Sequence, residues 1–182
     1  QREGLEVINS QVKNLTAFLD SYHRLTHLPE PEYKTVSVPA LFTKLERLLQ
    51  AEPRSERVVY CDGKADKSTG KELQVYGDAN LLTLALINLI RNALQAVEGQ
   101  EDGIVRVDTC AGATGHLLIT ITDNGPGIPP ERLSAIFTPF FSTKSGGSGI
   151  GLPISQRIMQ LHGGQLSVSS IPNVRTEFRM EF

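Results

Sequence analysis

Residues 78–97, DANLLTLALINLIRNALQAV, hold neither glycine nor proline and read as one long helix, with Asp78 placed to cap it. Leu82, Leu86, Leu89, Ile90, Ala93, Leu94 and Val97 recur at helical spacing, and Leu81 and Ala85 make the opposite side apolar too. A helix that is apolar nearly all round lies inside a domain. Asn88 and Asn92, four apart, interrupt that surface on one face, with Gln95 a turn further on. An unpaired buried amide costs roughly 1–3 kcal/mol, so both need partners. Two readings follow: a pair of asparagines capping nearby loops, or a polar stripe facing a ligand. In the second, one amide oxygen serves a hard cation and the other a phosphate or water.

Around this helix the chain alternates strand and helix patterns. Strands are expected at Thr35 to Val38, Arg57 to Cys61, Glu72 to Tyr76, Ile104 to Cys110, Leu117 to Thr122, Gln165 to Ser170 and Thr176 to Phe182. Helices are expected at Pro39 to Leu49, briefly near Glu131 to Ile136, and at Ile150 to Leu161, stopped by Gly163 and Gly164. The sum is an α/β fold, a two-layer sandwich of a mixed sheet packed on helices. Ahead of it, Leu5, Ile8, Val12, Leu15, Leu19, Tyr22 and Leu25 form a stripe near 3.5 spacing, ended by Pro29 and Pro31. That helix suits a coiled-coil-like bundle, or else packs on its own domain. The division expected is 1–30 for the helix and 31–182 for the domain.

The 182 residues are 40% hydrophobic and 21% charged, which excludes a disordered chain, and the net charge of -2 gives no basic surplus for nucleic acid. No apolar run approaches the roughly 20 residues of a membrane helix, so no direct membrane contact is expected of this stretch. Cys61 and Cys110 share no metal spacing with the four histidines and are expected as small buried hydrophobes of a reducing compartment.

Three further stretches carry chemistry. Asp123 ends a strand ahead of Asn124-Gly125-Pro126-Gly127-Ile128. A carboxylate fixed there accepts from an exocyclic amine, which adenine offers and guanine replaces with a carbonyl. Flanking glycines let backbone approach a flat ring, although the same letters also serve a plain turn. Gly146-Gly147-Ser148-Gly149-Ile150-Gly151 leads into a helix, where free amides make an anion site; flexible loops give a similar run. It is neither a P-loop nor a Rossmann turn. Phe137-Thr138-Pro139-Phe140-Phe141-Ser142-Thr143-Lys144 reads either as core aromatics or as a lid presenting Lys144 to phosphate.

In this order and spacing the four stretches resemble the catalytic domain of sensor histidine kinases, within the gyrase, Hsp90, histidine kinase and MutL ATPase superfamily. Asn88 to Ala96 resembles the family's asparagine box, Asp123 to Ile128 its first glycine box, Phe137 to Phe140 its phenylalanine box and Gly147 to Leu152 its second glycine box. The Thr138 to Lys144 run is most similar to the nitrogen-regulatory type. The resemblance implies the Bergerat fold, with ATP and Mg²⁺ as cofactors and the opening helix as the second helix of a dimerisation stalk. It implies Asn92 as the Mg²⁺ ligand with Asn88 beside it, and Asp123 reading the adenine amine with a water that Thr176 helps hold. Gly125, Gly127 and Ile128 would line the base; Gly147, Ser148, Gly149, Gly151, Leu152 and Lys144 would meet the phosphates. Two departures stand out. Gln95 occupies a position often basic in the family, which shifts that phosphate contact to Arg91 or Lys144, and Arg175 stands where a glycine often precedes Thr176.

The superfamily's ATPases usually carry a glutamate where this chain has Asn88, and an amide cannot activate water. Phosphoryl transfer is therefore expected over hydrolysis, with a stand-alone ATPase or a nucleotide-sensing module as the alternatives. None of His23, His27, His116 or His162 is followed by an acidic residue, as the family's acceptor is, so the acceptor is expected upstream of Gln1. The implied partners are a response regulator receiver domain and the parent's own stalk in a homodimer. The implied location is cytoplasmic, whether or not the parent is membrane-anchored.

Overall fold

A computed structural model describes residues 12, 16, 19, 22, 23, 26–61, 72–111, 116–143 and 147–182. Strand β1 (Lys34–Ser37) pairs antiparallel with β3 (Gln74–Gly77) as a two-stranded ribbon. Strands β2 (Val58–Cys61), β4 (Val105–Ala111), β5 (Leu117–Asp123), β6 (Gln165–Ile171) and β7 (Arg175–Glu181) form a sheet in the order β2-β4-β5-β7-β6. Only β2 and β4 run parallel within it. The expected mixed sheet is therefore present.

One face of that sheet is apolar because alternate residues point the same way. Val105 and Val107, Ile119 and Ile121, and Phe178 and Met180 are all buried, while Arg106, Cys110 and Arg179 between them are exposed. Helices among the described residues cover the apolar face. Helix α1 (Val38–Leu49) starts where Ser37 Oγ accepts from Ala40 N–H at 3.1 Å, with Pro39 in its first turn, and buries Leu41, Leu45 and Leu49. Helix α2 (Ala79–Ala96) is the long helix read from residues 78–97; Leu82, Ala85, Leu86, Leu89 and Ile90 are fully enclosed, and Leu84 faces out. The one-turn helix α3 is Pro130–Leu133, and α4 is Gly151–Leu161. Ser155, wholly buried on α4, donates to Gly151 O at 3.0 Å and lies 3.4 Å from Ala85 O, stitching α4 to α2.

Three expectations need correction. Cys61 is half-buried and Cys110 exposed, because both fall on the solvent side of the strand alternation, so neither is a core residue. The helix read from Glu131 to Ile136 is a single turn ending at Leu133, continued by tighter bonds such as Ala135 N–H to Arg132 O at 2.9 Å. Arg57, expected to open the strand, instead ends a 3₁₀ turn over Ser55–Arg57 ahead of β2. The helix expected before Pro29 falls largely outside the described residues. Those described at 12, 16, 19, 22, 23 and 26 are helical, with Val12, Leu19 and Tyr22 each more than half exposed.

Candidate functional site

Helix α2, the end of β5, the start of α4 and the strand β7 enclose a cavity of about 480 Å³. Asn88 and Asn92 stand half-buried on its α2 wall, with Arg91 and Gln95. Asn88 Nδ2 lies 3.4 Å from Gly151 O, tying that wall to the start of α4. Asn88 thus touches a neighbouring segment, as the capping reading expects, and also lines the cavity.

Asp123 lies on the inner wall, 2% exposed, the last residue of β5. Its Oδ1 accepts from Gly125 N–H at 2.9 Å, which fixes the carboxylate against the turn that follows. Gly127 takes φ +74°, and a Cβ there would come within 2.7 Å of Ile171 O, so only glycine fits. Thr176 is paired in register with Asp123 across β5 and β7, and is 3% exposed. A hydroxyl absent from every motif completes this corner: Ser170 Oγ accepts from Ile128 N–H at 2.8 Å, donates to Arg175 O at 3.0 Å and lies 3.3 Å from Thr176 Oγ1. The single Ser170 proton goes to the carbonyl, so Thr176 is the donor between the two hydroxyls. Its lone pairs stay available to the cavity.

The opposite end offers free backbone amides. Helix α4 starts without a side-chain cap, and Gly151 and Leu152 of its first turn line the cavity along with Gly147, Ser148 and Gly149. Uncapped amides there carry the positive end of the helix dipole. Gly149 has φ +65°, and a Cβ on it would lie 2.6 Å from the Phe140 carbonyl carbon. Phe140 N–H donates to Gly149 O at 3.0 Å, joining the phenylalanine stretch to the glycine run. Phe137 and Phe141 pack on the core, as the first reading of the aromatics expects, while Phe140 is exposed.

The cavity thus gathers Asn88, Asn92, Asp123, Gly127, Ile128, Gly147, Ser148, Gly149, Gly151, Leu152 and Thr176. Gly125 stands behind Asp123, off the lining. Lys144 lies outside the described residues. Arg91 reaches the cavity, but its Nε is 2.9 Å from Glu52 Oε1 and its Nη2 bonds the same oxygen, so its charge is already matched. Sequence motifs did not single out Arg132, Pro129 or Phe178, which also line the cavity.

Residues 77–182 match the family model described as histidine kinase-, DNA gyrase B-, and HSP90-like ATPase. The chain belongs to this family. Sensor histidine kinase ZraS of Salmonella typhimurium is 43% identical over 98 residues, covering 54% of this chain and 21% of that protein. Sensory histidine kinase/phosphatase NtrB of Vibrio alginolyticus is 33% identical over 184 residues, covering 96% of this chain and 50% of its own length. The chain therefore spans half or less of the curated relatives it matches. The catalytic domain of histidine kinase ThkA superposes with a TM-score of 0.67 at 27% identity, over 83% of this chain and 95% of that domain. ThkA in complex with response regulator protein TrrA aligns over 99% of this chain and 50% of its own, with a TM-score of 0.72; at 22% identity that likeness concerns the fold alone. The ATPase family resemblance read from the four motifs holds, and so does the α/β fold of a kinase catalytic domain.

Proposed function

We propose that this chain is the ATP-binding catalytic domain of a two-component sensor histidine kinase. It would move the γ-phosphoryl group of ATP to a histidine outside these 182 residues, from which it passes to an aspartate of a response regulator receiver domain. The observation that carries this is the convergence of a buried carboxylate, two amides and an uncapped helix N-terminus on one cavity in a member of the ATPase family.

In this reading Asp123 accepts the adenine amine, and Thr176 holds a water against the ring. Gly127 and Ile128 line the base, with Gly125 behind them. Gly147, Ser148, Gly149, Gly151 and Leu152 cradle the phosphates through backbone amides, and Lys144 meets their far end. Asn92 with Asn88 suits Mg²⁺: magnesium takes few protein ligands and arrives on phosphate, and no group of three or more His, Cys, Asp or Glu side chains among the described residues could cage a metal instead. When bound, the ion neutralises charge on the transferring phosphates. With an amide at Asn88 and, among the described residues, no carboxylate or imidazole lining the phosphate end, the chain positions ATP while an incoming histidine nitrogen attacks the γ-phosphorus and ADP departs.

Residues 1–30 we take as the second stalk helix, since exposed Val12, Leu19 and Tyr22 ask for a bundle partner, and 31–182 as the catalytic domain of a homodimeric parent. No helix of the described residues is long and apolar enough to cross a membrane, and work on ATP is expected on the cytoplasmic side. The test is γ-labelled ATP with Mg²⁺, given to this chain alone and then with a separate fragment carrying the upstream stalk helix. Acid-labile label on that fragment only is the expected result. Steady phosphate release without it marks an ATPase, and binding with neither marks a nucleotide-sensing module.

A further inference from the structure

Nucleotide phosphates bring several negative charges into a cavity whose inner wall already holds the Asp123 carboxylate. Helix amides offer only partial charge against them. Among the described residues the cavity's basic side chains are Arg91 and Arg132. Glu52 neutralises Arg91. Arg132 is exposed, and its side chain makes no hydrogen bond or ion pair among the described residues.

Its backbone is nevertheless firmly held. Arg132 N–H donates to Pro129 O at 2.9 Å, and Arg132 O accepts from Ala135 N–H at 2.9 Å and Ile136 N–H at 3.2 Å. Ile136 in turn is buried in the core. A fixed backbone thus carries an exposed guanidinium, without a partner among the described residues, on a residue that lines the cavity, and a planar fork of donors is well matched to phosphate oxygens. We propose that Arg132 is a phosphate-binding residue of this site, meeting the nucleotide's phosphates from the α3 side. This rests on the ATP reading above and deepens it.

The test is calorimetric binding of ATP and of adenosine to the whole chain, at low and raised salt, for the wild type, Arg132→Ala and Arg132→Lys. Arg132→Ala is expected to weaken ATP binding roughly tenfold and to leave adenosine within about twofold, the loss of a charge-assisted bond. Arg132→Lys recovers part of it, and the salt dependence of ATP binding shrinks in the alanine variant because the contact is solvent-exposed. Equal losses for ATP and adenosine would mean that Arg132 packs on the base, and unchanged ATP binding would mean a merely solvated charge. Either overturns the proposal. A wild-type chain that binds neither ligand overturns the ATP reading itself, which is a separate and recognisable failure.

Discussion

The backbone N–H of Asp78 donates to Nε2 of His162 across 2.9 Å, joining the start of α2 to the end of α4. Nδ1 of the same ring lies 2.7 Å from Ile158 O, so the imidazole sits as the neutral tautomer that donates from Nδ1 and accepts at Nε2. The Asp78 carboxylate meanwhile accepts from Asn80 N–H at 2.8 Å, Leu81 N–H at 3.1 Å and Glu32 N–H at 2.8 Å. Tyr33 adds a hydroxyl bond to Leu161 O at 2.5 Å and an edge contact to the His162 ring. The segment arriving from Pro31 is thereby fastened to both helices that wall the cavity.

Asp78 gives that joint an acid limit. Burial alone would raise its carboxyl, but the N–H groups of Glu32, Leu81 and Asn80 outweigh burial and hold it below the ordinary carboxylate range. The folded state therefore favours the ionised form. Its contribution is present at neutral pH and is lost as acid carries the pH down through the depressed folded-state value. Asp78→Ala is expected to cost about 1–2 kcal/mol at neutral pH, a helix cap lost together with its buried partners. Urea unfolding across pH should show the gap to the wild type closing in strong acid; a gap independent of pH would contradict the role of the charge.

Asp123→Asn should fold normally, because the amide oxygen can still accept from Gly125 N–H. ATP affinity is expected to fall on the order of a hundredfold, the upper range for a hydrogen bond to a charged group. The side-chain amide can donate to a ring carbonyl, so GTP should lose less than ATP does. Titrating both nucleotides checks this, and equal losses would remove Asp123 from base recognition.

Glu52→Ala frees the Arg91 guanidinium toward the cavity. ATP binding is expected to tighten about threefold while adenosine binding is unchanged, and fold stability should shift by no more than about 0.5 kcal/mol, as for other exposed pairs. Calorimetry at two salt concentrations reads it. Weaker ATP binding would mean that Glu52 supports the site rather than competing for Arg91.

Tyr60 keeps a hydroxyl shut off from solvent with no hydrogen-bond partner among the described residues. Burial first, and the charge of Glu46 second, push it up to about 12. Tyr60→Phe removes an unsatisfied group without opening much space, so stability should hold or rise by up to ~1 kcal/mol in urea unfolding. A loss of that size would reveal an acceptor serving the hydroxyl.

Local chemistry was the legible part of this chain. Helix α2 announced its own burial, its Asp78 cap and its two asparagines, because helical periodicity brings residues three and four apart onto one face. The glycine stretches and Asp123 were legible for the same reason: each works through its immediate neighbours. Sheet order was not, since strand alternation tells which face is buried but not which strand lies alongside. Nothing near Ser170 announces that it holds Ile128, 42 residues away, or near Glu52 that it holds Arg91, 39 residues away. Composition does not tell where the cysteines lie, because a strand buries only one of its two faces, and the phase of β2 and β4 puts both thiols on the other.

Strand β7 lies inside the sheet, between β5 and β6. During synthesis β5 leaves the ribosome well before its eventual neighbour exists, and one hydrogen-bonding edge of it stays open until Arg175–Glu181 have been made. An open apolar strand is a template for wrong pairing. Thr176 and Phe178, both on β7, also complete the cavity lining. A nascent chain therefore completes its cavity wall and covers the open edge of β5 in the same insertion event.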